Sequence, residues 1–358
     1  MYIYIFYFVV VSFLSLIMVD IKKTKQIYII MCSFLFFVIF GFRVNELGTD
    51  TKSYLSIFEN STEVRDPIFT ILVKISHILE IPPYLSIALI SFTIVFLILK
   101  SYSLILDYRL FALSAIFLSV SYILYSFNFN ILRQGLAVSI GAFSFALYFN
   151  NKKILALLFY GVSVFAHASM IVLIIPLIIS RCMKKSSWTI FIIGMIIYVF
   201  FTIENGIISL KSFESLIPAE RFSQLMRLTT IYNKGVTGVF FSYSTVLFPV
   251  FYMVWLLVRE KSDLLDKYKY DVLFNVYFFT FVIVSPLSQF HLLYYRLLWT
   301  VSIFEPLMCS LIFSAILPRM NKYQMLFIGS ALSFVYLFKT YFITGGMLNE
   351  VSYGTILF

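Results

Sequence analysis

Two residues sit where composition alone would not put them. Arg133 opens the apolar run ILRQGLAVSIGAFSFALYF, and His167 lies inside ILALLFYGVSVFAHASMIVLIIPLIIS, a run closed at both ends by lysine pairs. Ionisable groups are costly inside a membrane segment and usually face a cavity or a partner, so both are site candidates. Arginine keeps its charge and offers a planar fork of donors that fits phosphate oxygens. An imidazole can take a proton from an attacking hydroxyl or donate a hydrogen bond to a phosphate. Arg43 and Arg296 fall, like Arg133, at the outer ends of apolar spans. Converging arginines at an outer leaflet suit a pyrophosphate headgroup. The competing reading is that each arginine snorkels as a topology anchor and that His167 is a satisfied core histidine.

Asp50, Tyr54 and Glu59 follow a turn-like Leu47-Gly48-Thr49 and recur at helical spacing. Carboxylates and a phenol so placed can bind sugar hydroxyls or serve as base, although helix capping explains Asp50 equally well. Arg221 and Tyr295 are further candidate substrate contacts, whereas His77 and His291 read as surface residues. No metal-ligand spacing such as CxxC or HExxH occurs, so neither a metal nor another cofactor is expected.

The elements that must hold these residues are membrane helices. With 61% hydrophobic and 12% charged residues in 358, and a mean hydropathy of +0.96, the chain belongs to the all-α polytopic membrane class. About 20 residues per crossing gives roughly a dozen spans in one domain over residues 1–358. The net charge of +10 is spread through short loops, which reads as topology first, an anionic ligand second and nucleic acid hardly at all. Three cysteines in or beside apolar runs argue against a disulfide framework. The first apolar run ends in DIKKTK without an A-x-A site, so it reads as a retained span.

Basic residues favour cytoplasmic loops, which places Lys22, Lys23 and Lys25 inside and the polar loop 42–82 outside. A short amphipathic helix is expected at Ile68 to Leu79, stopped by Pro82 and Pro83. A straight helix from Ile154 to Ser180 would be about 40 Å long, against a hydrocarbon core of about 30 Å. A re-entrant hairpin of two half-length helices with His167 at its tip fits better. It puts sixteen of the 27 basic residues inside, against thirteen without it. The stretch 204–238 is too polar to span and is expected to lie over the outer face as a lid.

At these residues the chain resembles the EpsG-like, Wzy-type family of bacterial polysaccharide repeat-unit polymerases. The resemblance rests on RVNELGTDTKSYLSIFE (Arg43 to Glu59), on RDPIFTILVKI after it, on FNFNILRQGLAVSIGAFSFALYFNNKK (Phe127 to Lys153), on AHAS (Ala166 to Ser169) and on YYRLL (Tyr294 to Leu298). The chain has Arg65 before Asp66-Pro67, where the family usually shows an acidic or aromatic residue, which leaves the role of Asp66 open.

The resemblance implies a GT-C-like glycosyltransferase in the bacterial cytoplasmic membrane with its site facing outward. Its donor would be a growing glycan on undecaprenyl pyrophosphate, its acceptor a lipid-linked repeat unit, and a chain-length regulator would be a further candidate partner. On that reading Arg133, Arg296 and His167 are catalytic, and Arg43, Asp50, Tyr54, Glu59, Arg221 and Tyr295 contact substrate. A lipid-linked oligosaccharide flippase and a membrane O-acyltransferase remain as alternatives.

Overall fold

A computed structural model of the chain describes residues 2–18, 24–43, 48, 50–183, 185–202, 243–261, 267–288 and 291–338. All elements among them are helical. They divide into two compact units, Met1–Met170 with Glu305–Phe358, and Ile171–Phe304.

In the first unit, α1 (Tyr2–Met18) and α2 (Lys25–Phe36) lead through a π-helical turn, Phe37–Gly41, into the polar loop. Two short helices follow, α3 (Thr51–Glu59) and α4 (Pro67–Ile78). Then come α5 (Pro83–Ile105), α6 (Tyr108–Ser119), α7 (Tyr122–Phe129), α8 (Leu132–Phe149) and α9 (Lys153–Ala166). Proline starts both α4 and α5, where its missing N–H costs nothing. Asp107 caps α6 by accepting from the backbone N–H groups of Arg109 and Leu110, each at 2.9 Å. Lys25 Nζ donates to the Ser103 and Leu106 carbonyls at 3.3 Å each and so closes the end of α5.

The apolar stretch from Leu110 to Tyr125 is not one continuous helix but falls in two, α6 and α7, meeting at 60°. The break falls at Val120-Ser121. A carbonyl that it frees, that of Ser119, is taken by the Tyr125 hydroxyl at 2.6 Å, so the bend leaves that group satisfied.

The second unit carries α10 (Ile174–Cys182), α11 (Trp188–Thr202), α12 (Tyr243–Val258), α13 (Lys267–Val284) and α14 (His291–Ser302). Helix α13 begins within the charged stretch KYKYD, so Asp271 is helical and wholly buried rather than solvated. Its carboxylate accepts from Trp255 Nε1 at 2.8 Å and pairs with Arg259 at 3.2 Å. Arg259 also donates to the Ser186 carbonyl, and Asn275 Oδ1 accepts from Tyr252 and Ser186 at 2.9 and 3.0 Å. This closed polar network ties the short 183–187 connector to α12 and α13. The chain returns to the first unit with α15 (Glu305–Ile316) and α16 (Lys322–Phe338).

Leu157 of α9 is 73% exposed, Ile196 of α11 63% and Phe327 of α16 72%, each among other exposed apolar side chains of its helix. Apolar faces of that extent belong in lipid rather than water. Among the described residues three helices, α5, α8 and Lys269–Leu287, are long and apolar enough to cross a membrane, and two broken pairs raise that to five. The protein is an all-helical membrane protein.

Candidate functional site

The site residues of the first unit are gathered by three close backbone approaches. Gly48 has φ +87° and lies so near the end of α7 that a Cβ would stand 2.5 Å from the Phe129 carbonyl oxygen. That seats the GTD turn on α7. From the other side, a Cβ on Gly135 would meet the Phe127 carbonyl at 2.6 Å, so RQG is the sequence that lets α8 fold tightly against α7. On α8, Gly141 faces Ser163 and the Met170 side chain, which admits the segment after α9.

Arg43, expected as a substrate contact, is wholly buried. Its Nε donates to Thr51 Oγ1 at 2.9 Å, its Nη1 reaches the Phe40 carbonyl and Ser91 Oγ at 3.5 Å, and its guanidinium lies 5.3 Å from the centre of the Phe129 ring. Burial pulls its pKa down to about 10, with Tyr54 and Tyr4 opposing, so it stays charged at neutral pH. Arg43 thus pins the first turn of α3 to α7.

One turn further along α3, Tyr54 is buried beside Arg133. Burial raises the phenol above its ordinary range, and the Arg133 guanidinium is the chief opposing influence, with Asp50 adding to the rise. Asp50 stands at the N-cap of α3 but makes no capping bond, which removes the bland account of it. Glu59 lies on the exposed face of α3 and is not brought to Arg133.

Arg133 sits in the first turn of α8, where the positive helix end disfavours a cation. It is held there by Asp66. Arg133 Nη1 donates to Asp66 Oδ2 at 2.6 Å across 67 residues of chain. Asp66 occupies the N-cap position of α4, yet it spends its carboxylate on Arg133 rather than on the helix it precedes. Two helix N-termini therefore meet at one guanidinium that is still a third exposed. Two helix N-terminal ends, a partly exposed guanidinium and a neutral phenol alongside make this a place for an anion with hydroxyl-bearing neighbours.

His167 is where the sequence reading puts it, at a break. Helix α9 ends at Ala166, His167 is extended at φ −162° and ψ 126°, and a 3₁₀ segment follows at Ala168–Leu173. Tyr160 Oη donates to the Met170 carbonyl at 2.5 Å. In a continuous helix, ten residues span about 15 Å, beyond a tyrosine's reach, so no straight helix runs through His167. Ser144 Oγ donates to the Ala156 carbonyl at 2.6 Å and Ser163 Oγ to the Ala137 carbonyl at 2.8 Å. The same antiparallel register brings the end of α9, where His167 follows, toward the start of α8, where Arg133 lies. Nδ1 of His167 accepts from the Ser169 N–H at 3.3 Å and lies 2.8 Å from Ser169 Oγ. With Nδ1 accepting, the neutral ring carries its proton on Nε2 and presents a donor.

Arg296 and Tyr295 lie in α14 of the second unit, both partly buried, with Tyr295 against Tyr294 at 5.5 Å between ring centres. Arg221 and the 204–238 stretch lie outside the described residues. His77 is exposed at the end of α4, as expected of a surface residue. Among the described residues no group of three His, Cys, Asp or Glu side chains gathers as metal ligands. Sequence reasoning left Asp66 unassigned and did not single out Thr51 or Ser91. The signal available for Asp66 was its place next to Pro67 in the same polar loop.

No curated protein and no solved structure matches the chain. The EpsG family model matches residues 26–354, a range that takes in Arg43, the Asp66–Arg133 pair, the His167 turn and Arg296 alike. The chain belongs to the EpsG family.

Proposed function

We propose that the protein is a glycosyltransferase that polymerises undecaprenyl-pyrophosphate-linked oligosaccharide repeats into a surface or secreted polysaccharide at the outer face of the bacterial cytoplasmic membrane. Family membership supports polysaccharide polymerisation. The observation that carries the chemistry is the junction of α4 and α8, where partly exposed Arg133 is held beside neutral Tyr54.

An acceptor-sugar hydroxyl attacks the anomeric carbon of the donor glycan, the bond to pyrophosphate breaks, negative charge grows on the leaving group, and the hydroxyl proton is lost to the departing pyrophosphate. A fixed guanidinium answers that charge without a metal. In the tautomer set by Ser169, His167 donates from Nε2 to the pyrophosphate. Tyr54 and Asp50 position the sugar, and Arg43 acts at one remove by holding α3. Arg296, with Tyr295 beside it, is a candidate phosphate contact of the second unit, tested separately by Arg296→Ala. On this reading the chain makes about a dozen crossings in a GT-C-like arrangement. On this reading His167 stands at the tip of a re-entrant hairpin.

In the native host, Arg133→Ala and His167→Ala should each abolish long glycan chains while leaving single-repeat product and membrane protein levels intact. Full-length polymer from both variants would sink the assignment. Accumulation of inward-facing lipid-linked repeat on deletion would point to a flippase instead. Activity should survive chelation by EDTA.

A further inference from the structure

The Asp66–Arg133 pair does more than hold a side chain still. A carboxylate 2.6 Å from the guanidinium cancels much of the charge an anionic ligand would meet. If firm anchoring of a phosphate were the only requirement, a neutral acceptor at residue 66 would position Arg133 and leave its charge whole. A carboxylate is present instead, turned away from capping its own helix. It is only slightly exposed, at 13% of its side chain, so solvent screens it less than an ordinary surface acid.

We infer that Asp66 is a positioning residue that competes with pyrophosphate for Arg133, weakening the grip on the spent lipid pyrophosphate so that it can leave between rounds. This rests on the polymerase reading above. Arg133 Nη1 is bonded to Asp66 when the ligand is absent. A pyrophosphate entering beside the pair draws on the same guanidinium, and the carboxylate recovers it when the ligand departs. The device suits an enzyme that must bind and release one polyanion per added repeat.

The test is direct titration of inorganic pyrophosphate onto the purified full-length protein in phosphatidylcholine nanodiscs. Wild type is compared with Asp66→Asn, Asp66→Ser, Asp66→Glu and Arg133→Ala, each normalised to its folded fraction by thermal unfolding. Asp66→Asn, or Asp66→Ser should the first fold poorly, is expected to bind pyrophosphate about tenfold more tightly, with a slower off-rate. Asp66→Glu, which keeps the charge, is expected to stay near wild type. A merely structural role would loosen binding instead.

Binding that depends on Arg133 but is unchanged or weaker without the carboxylate would overturn this inference and leave the polymerase reading standing. Wild type that binds no pyrophosphate, or binding that survives Arg133→Ala, would remove that reading and the inference with it. Repeating the titrations in phosphatidylglycerol nanodiscs separates the sources of phosphate. A charge effect that appears only as retention of that lipid, with pyrophosphate affinity unmoved, also overturns the proposal.

Discussion

Ser163 Oγ donates to the carbonyl of Ala137 at 2.8 Å, and with the Ser144–Ala156 bond it sets the register in which α9 lies against α8. Because that register brings the end of α9 to the start of α8, the two candidate groups depend on one helix pair and should respond together. A double Arg133→Ala, His167→Ala variant should lose no more polymer than the worse single variant, as groups serving one charge do. Chain-length profiles on gels would show this, and additive losses would argue for separate sites.

The glycine contacts around α7 predict a different kind of failure. Gly48→Ala must bear both a left-handed φ and a backbone clash with Phe129, and Gly135→Ala must displace the Phe127 backbone. Each should cost about 2–4 kcal/mol, read as a lower unfolding midpoint of the purified protein. Gly161→Ala, where a Cβ would meet nothing within 4 Å, should be nearly silent.

Arg43 and Arg133 should separate cleanly in a binding assay. Arg43 is buried and touches α3 and α7, so Arg43→Ala should lower stability by about 2–4 kcal/mol while the folded fraction keeps its pyrophosphate affinity. Arg133→Ala should do the reverse, losing affinity with a smaller change in stability.

Tyr54 bears on pH. Its phenol is raised above the ordinary value of 10.0, chiefly by burial, so it stays neutral across the working range and its ionisation limits activity only above that value. Tyr54→Phe should therefore lower polymerisation without changing the shape of the pH–rate profile below pH about 10. An alkaline limb near pH 8 that vanishes in Tyr54→Phe would contradict the geometry.

In the second unit, Asp271→Ala leaves Arg259 half-stranded in an enclosed polar network and should destabilise the protein by about 3–5 kcal/mol. Loss of folded protein in detergent would register it, while Glu260→Ala, an exposed neighbour, should change little.

What could be read from the chain alone was what local physics dictates. The break at His167 was legible because the apolar run was too long for one crossing and carried an imidazole in its middle. Helices α3 and α4 were legible from periodicity and from Pro67 and Pro83. Long-range pairing was not. Nothing in the order of residues says that Asp66 spends its charge on Arg133 rather than on its own helix, because 67 residues of chain lie between them. The burial of Arg43 was hidden for a related reason: an arginine at the end of a span looks the same whether it meets water or the face of Phe129. The α6–α7 break and the helical start of α13 were masked by uniform apolar composition and by clustered charge.

Helix α7 is gripped on two sides by residues without side chains, Gly48 against Phe129 and Gly135 against Phe127. A part so tightly bracketed can move only as a block, and it leaves no slack for gradual reshaping. Retuning this protein toward a different ligand would have to be written into the rim, on segments that touch the bracket but do not form it. An engineer seeking new selectivity should leave both glycines untouched and diversify the exposed face of α3.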